Sequence, residues 1–144
     1  MANLPIPSVA DIIGTGLFAQ SQRLSLIASN LANVNSVTSP GGQPYRALEP
    51  VFEAVSEDGD DTGDTNTPAT VSLAGVVQSA APPDLKYDPT SPFANQDGYV
   101  AGSDVSTSQQ MVDLIDATQN YQDQIAVLTQ HEHLEMTMVQ SFIA

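Results

Sequence analysis

Toward the C-terminus, apolar positions recur in alternating steps of three and four. Met111, Leu114, Thr118, Tyr121, Ile125 and Leu128 fall on one stripe of a helix at that spacing. The segment from Gln109 to Ile143 contains no Gly and no Pro, although the chain holds nine and ten of them. Nothing local interrupts a helix there, and the stripe predicts a coiled-coil seam along it.

A second stripe lies near the N-terminus. Ile13, Leu17, Gln20, Leu24, Ile27, Leu31 and Val34 repeat the same steps, predicting a helix over Val9–Asn33. Ser8 followed by Asp11 resembles a capping box, since a carboxylate in the first turn meets free N–H groups. At about 1.5 Å per residue the two helices would span roughly 37 and 52 Å. Helices that long in a chain of 144 residues outrun any core the chain can wrap around them, so they are expected to pair with each other first.

The middle of the chain changes period. Tyr45–Val55 is β-like, but Pro50 demotes it to an edge strand or two short pieces. Glu57–Asn66 is acidic and lacks apolar residues, as a solvated loop does. Thr70–Gln78 alternates as a strand, with Gly75 a candidate bulge. Pro82, Pro83, Pro89 and Pro92 predict an extended connection, and Asp97-Gly98 a turn before Tyr99-Val100. Ser106 and Thr107, each with a glutamine three residues on, match the capping-box spacing and predict where the second helix begins.

The expected fold is therefore α+β: two long terminal helices in an antiparallel coiled coil, with a small β-rich insert between them. Residues 1–34 and 102–144 supply the helices. Residues 35–101 supply the insert, including the acidic loop 57–66.

After Leu128 the strict seam runs into Glu132 and Glu135. Apolar residues move to Leu134, Met138 and Phe142 on one side and to Met136, Val139 and Ile143 on another. A helix end that is apolar on two sides must be covered on two sides, which predicts packing between several subunits.

Charge narrows the partners. The net charge is −14, with Arg23, Arg46 and Lys86 the only Lys or Arg. Nucleic acid and anionic lipid both demand clustered cations, so neither is an expected partner. The chain has no Cys, which removes disulfides and thiolate chemistry. No apolar run is long enough for a membrane span. The first residues, without Lys or Arg before Arg23 and with Val9–Phe18 broken by Asp11, Gly14 and Gly16, do not read as a cleaved signal peptide.

Three motifs invite a chemical reading. Gly14–Ala19 fits G-x-G-x-x-A, but a dinucleotide site needs an acidic residue about 20 positions on, and none stands between Asp11 and Glu49. Small residues at a close helix contact account for it better. Asp58, Asp60, Thr62, Gly63, Asp64 and Asn66 resemble the start of a calcium loop, yet its twelfth position is Ala69 rather than Glu. His131 and His133 point to different sides of a helix, leaving only His131 and Glu135 on one face. No catalytic, cofactor-binding or metal site is expected, and no enzyme.

Several runs resemble one family in order and spacing. These are AQSQRL (Ala19–Leu24), ASNLAN (Ala28–Asn33), SVT (Ser36–Thr38), GQPYRA (Gly42–Ala47), Gln78–Val100 and Met111–Gln122. Within them Ser29, Asn30, Leu31, Ala32 and Asn33, and then Gly42, Gln43, Pro44, Tyr45 and Arg46, carry the likeness to the rod proteins of the bacterial flagellar basal body, and within these to the proximal rod. The chain departs from that pattern at Gly102–Val105.

The resemblance implies a structural subunit exported through the flagellar type III apparatus and assembled in the periplasm into a rod that passes torque outward. Its implied partners are further copies of itself, other proximal and distal rod proteins, and the protein at the junction with the export gate and the MS ring. It also implies that the helices line the inner tube, with the insert outside them. The competing reading is a helical binding or chaperone-like module that caps one partner's helices and stays monomeric.

Overall fold

The computed structural model describes residues 7–56 and 68–143. Its elements in chain order are α1 (Val9–Ala32), β1 (Val37–Thr38), β2 (Leu48–Ser56), β3 (Ala69–Gln78), β4 (Leu85–Tyr87), β5 (Tyr99–Gly102) and α2 (Thr107–Ile143). The class is α+β, as the two periodicities indicate. The acidic loop and the calcium-like motif within it lie outside the described residues.

Local chemistry sets the helix boundaries. At the start of α1 the Ser8 N–H donates to Asp11 Oδ2 at 3.0 Å, while Asp11 N–H donates to Ser8 Oγ at 3.1 Å. The reciprocal box expected from the sequence is complete. At the other end Asn33 N–H donates to the Ser29 and Asn30 carbonyls, and Asn33 Nδ2 donates again to Ser29 at 2.9 Å. These bonds satisfy carbonyls that the ended helix leaves free.

The start of α2 differs from the expected box. Ser106 Oγ accepts from Gln109 N–H at 3.4 Å, but neither glutamine returns a bond to the cap. Gln109 Nε2 donates to Asp113 at 3.2 Å, and Gln110 Oε1 accepts from Asn30 at 3.0 Å. The side chains needed for the second half of the box are engaged elsewhere.

β2 and β3 form an antiparallel hairpin whose pairing runs from Leu48–Gln78 to Ser56–Ala69. Pro50 does not split β2, because a two-stranded sheet leaves one edge of every strand free of partners. The register slips between Val51–Gly75 and Phe52–Leu73, so the extra residue of the bulge is Ala74, beside the glycine that marks it. A second sheet, in the order β1-β5-β4, joins the chain after α1 to the chain before α2. Its strand β4 sits inside the proline-rich connection, where the flanking prolines mask a strand only three residues long.

α1 is the element shared by the rest. It packs against α2 and against both strands of the hairpin, whereas α2 packs on no other described element. The Thr15 hydroxyl accepts from Val71 N–H of β3 at 3.2 Å and donates to its own helix at Ile12. The buried apolar side chains among the described residues are Ala19, Ile27, Ala47, Val100, Val105 and Ala117. Three are alanines, so the core is thin.

Candidate assembly interface

Where the two helices meet the strands, one buried asparagine holds four segments together. Asn30 is 2% exposed. Its Nδ2 donates to the Leu48 carbonyl and to Gln110 Oε1, both at 3.0 Å, and its Oδ1 accepts from Leu48 N–H at 2.8 Å and from Tyr45 OH at 3.1 Å. The amide thus pairs with both backbone groups of Leu48, as a neighbouring strand would. Asparagine is a poor residue for a helix interior, and here its side chain links α1 to β2, to the Tyr45 loop and to α2.

Neighbouring family-motif residues serve the same junction. Ser29 Oγ lies 3.2 Å from Tyr45 OH, and Arg46 Nη1 donates to the Ser79 carbonyl at 2.9 Å. Asp104 Oδ1 accepts from Ala47 N–H at 2.6 Å, tying the approach of α2 to the same loop. A Cβ on Gly42 would collide with Thr38 Oγ1, so any other residue there requires the threonine side chain to shift. Leu31 and Pro44 are half-buried, while Ala32 and Gln43 are exposed. The sequence placed Asn30 and Tyr45 in a motif without their role, and marked Gln110 only as a capping-box glutamine and Asp104 only within the departure at Gly102–Val105.

The helices run in opposite chain directions. Asn30 meets Gln110, Arg23 Nη1 lies 3.4 Å from Asp116 Oδ2, and a Cβ on Gly16 would stand 3.1 Å from Gln124 Oε1. The face of α2 turned to α1 therefore carries Gln110, Leu114, Ala117, Tyr121, Gln124 and Leu128, and Ala117 is 0% exposed. Leu114, Tyr121 and Leu128 of the expected stripe are half-buried. Met111, Thr118 and Ile125 lie one residue further round and are exposed. On α1, Ile27 is buried and Ile13, Leu17, Leu24 and Leu31 are half-buried. Small side chains at Gly16, Ala19 and Ala117 permit a close approach, which brings the alanine and glutamine positions to the contact and turns Met111 and Ile125 outward.

The helices also differ in length. Val9, the first residue of α1, shares a groove with Val127, His131 and Leu134. Beyond that point α2 has no partner among the described residues, and every side chain from Glu132 to Ile143 is exposed. This overhang is about 18 Å long. Leu134, Met138, Val139 and Phe142 all lie on it, with Phe142 88% exposed. Phe18 on α1 and Val112 and Ile115 on α2 add outward apolar side chains along the paired region. Single exposed apolar residues are ordinary, but stripes of them mark a contact surface.

The chemical motifs lead elsewhere. Gly14–Ala19 lies wholly inside α1, so no strand-to-helix turn exists there to cradle a pyrophosphate. His131 Nδ1 stands 3.8 Å from Glu135 Oε1, beyond hydrogen-bond range. Among the described residues no group of three potential ligands converges on a metal position. No described helix is long and apolar enough to cross a membrane.

Two family comparisons fall on the helices. Residues 12–39 match the family described as flagella basal body rod protein, and residues 96–141 match flagellar basal body rod FlgEFG protein C-terminal. Together with the exposed stripes, these define a structural flagellar rod protein rather than an enzyme. Over 121 residues the chain is 44% identical to flagellar basal-body rod protein FlgC of Salmonella typhimurium and of Escherichia coli O157:H7, and 41% identical to that of Yersinia enterocolitica. Each match covers 84% of this chain and 86% of the relative. The chain belongs to the FlgC family of flagellar basal-body rod proteins.

Proposed function

We propose that this rod subunit belongs to the proximal rod, that it reaches the periplasm through the flagellar type III apparatus without signal cleavage, and that it assembles helically to carry torque. The observation that carries this reading is the overhang of α2. Its apolar residues on two sides have nothing to cover them among the described residues, and apolar area of that kind is stabilised only by burial. A heterologous contact whose rotation does not close generates a helical filament, so neighbours above and beside the subunit can cover both sides at once.

In this reading α1 and α2 form an antiparallel coiled coil that makes the assembly core. Gly16 and Asn30 stand two heptads apart, as do their contacts Gln124 and Gln110, which is the repeat a coiled coil keeps. Residues 1–34 and 102–144 would line the tube, with 35–101 outside. The inward stripe of Ile13, Leu17, Leu24, Ile27, Leu31, Leu114, Tyr121 and Leu128 holds the pair together. Met111, Ile125, Leu134, Met138, Val139 and Phe142 meet neighbours, which include other copies, other proximal and distal rod proteins, and the protein joining the rod to the export gate and MS ring.

The test is Met138→Asp, a charge on a residue 56% exposed. Expected are normal secretion, loss of the protein from isolated basal bodies, and loss of motility. Wild-type motility would overturn the reading. A soluble chaperone-like module would instead remain a monomer bound to one partner and be absent from purified basal bodies.

A further inference from the structure

The overhang of α2 holds two carboxylates inside its apolar arc. At about 100° per residue, Leu134, Met138, Phe142, Val139, Ile143 and Met136 sweep roughly 200° of the helix surface. Glu135 falls between Phe142 and Val139 in that sweep, and Glu132 between Val139 and Ile143. The polar remainder is Gln140, His133, Thr137 and Ser141. Glu132 and Glu135 line one shallow groove together with Met136, Val139 and Gln140. Nothing can cover the apolar arc without also covering both carboxylates.

A carboxylate taken out of water without a cationic partner is strongly disfavoured. On the same helix His131 stays 3.8 Å from Glu135, and His133 falls on the polar side of the sweep. A second copy of this chain has little to offer. Its α2 carries no Lys or Arg, and the only cation on α1, Arg23, already meets Asp116. Arg46 donates to the Ser79 carbonyl, and Lys86, though exposed, stands on strand β4 of the sheet rather than on a helix that could lie along the tip.

We propose that the α2 overhang docks a heterologous amphipathic helix that carries Lys or Arg within its apolar stripe, and that it discriminates against a second copy of this chain. This rests on the rod reading but narrows it: self-contacts are confined to other faces, and the tip selects a different subunit by charge.

The full chain is tested with two short synthetic leucine-striped helices, one with two lysines in the stripe and one with two glutamates. By fluorescence anisotropy at low salt, the lysine peptide is expected to bind about tenfold tighter, with the preference largely erased near about 1 M salt. Glu132→Lys with Glu135→Lys should reverse the order. Equal binding of both peptides, or an unreversed preference in the double variant, overturns the proposal.

The self-contact is tested separately. The chain has no Cys, so Gln140→Cys reports encounters between tips directly. Slow disulfide dimerisation, matching an exposed control cysteine at Ser25, is expected. Rapid dimerisation through Cys at 140 overturns the exclusion of a second copy. Failure of the rod reading would appear as wild-type motility of Met138→Asp, which neither peptide preference nor cross-linking can imitate.

Discussion

Replacing Asn30 with alanine tests the junction on which α1, β2, the Tyr45 loop and α2 all depend. The substitution removes four hydrogen bonds from a side chain that is 2% exposed. At about 1 kcal/mol net for each bond, the loss would approach about 4 kcal/mol. Tyr45 keeps its contact with Ser29 Oγ, and the half-buried Gln110 can turn to water, so about 3 kcal/mol is the expected loss. For a domain of this size that lowers Tm by roughly 10 °C. Urea unfolding followed by far-UV circular dichroism measures it.

Two further variants separate bonding from shape at the same position. Asn30→Asp preserves the outline but sets a carboxylate oxygen against the Leu48 carbonyl, and it should cost nearly as much as alanine. Tyr45→Phe removes the donor to Asn30 together with the contact to Ser29 Oγ and should cost about 1–2 kcal/mol. In the double variant the Asn30 share of that cost should vanish, because that bond is already gone, and only the Ser29 share should remain. A loss below about 1 kcal/mol for Asn30→Ala, or full additivity with Tyr45→Phe, would refute the junction as described.

Other perturbations address other parts of the chain. Ala117→Leu places a large side chain where none is exposed and should destabilise the helix pair by about 1–3 kcal/mol, read by the same unfolding curve. Gly42→Ala should destabilise the turn by driving a methyl into Thr38 Oγ1, and Thr38→Ala should relieve much of that effect in thermal melts. Hydrogen bonds from the Ser8 hydroxyl and then the Ser8 backbone hold the Asp11 carboxyl below its ordinary value of 3.8. The depressed folded value means the cap contributes fully above pH 3.8 and is lost as pH falls through the lower value. Amide exchange at the start of α1 should accelerate there, and Asp11→Asn should abolish that pH dependence.

Much of the architecture is legible in the sequence because two periods announce it. Steps of three and four mark both helices, the reciprocal Ser8–Asp11 pair marks the start of α1, and Gly75 marks a bulge one residue away. What escapes is information carried by contacts between distant segments. β4 has only Leu85, Lys86 and Tyr87, too few to show alternation, and it exists because β5 offers it a partner. The facing stripe of α2 is shifted because hydrophobicity ranks Met111 and Ile125 above Gln110 and Gln124, whereas close approach ranks small and flat side chains first. Asn30 looked like part of a motif, and its work depends on Leu48 and Gln110 arriving from elsewhere in the chain.

That inversion in α2 bears on why the subunit assembles. The inner contact contains Gly16, Ala19 and Ala117, and the acceptor oxygens of Gln20 and Gln124 are buried there without a hydrogen-bond partner among the described residues. Buried acceptors left unpaired weaken a contact, and alanine burial contributes little apolar area. The side chains that would make a self-sufficient helix pair, Phe18, Met111, Ile115 and Ile125, face outward instead. Turning them inward would strengthen the isolated chain and strip its outer surface of the apolar area it offers to neighbours. The helix pair therefore leaves its larger apolar side chains outward, and Ile115→Asp should harm assembly more than it harms the folding of the chain alone.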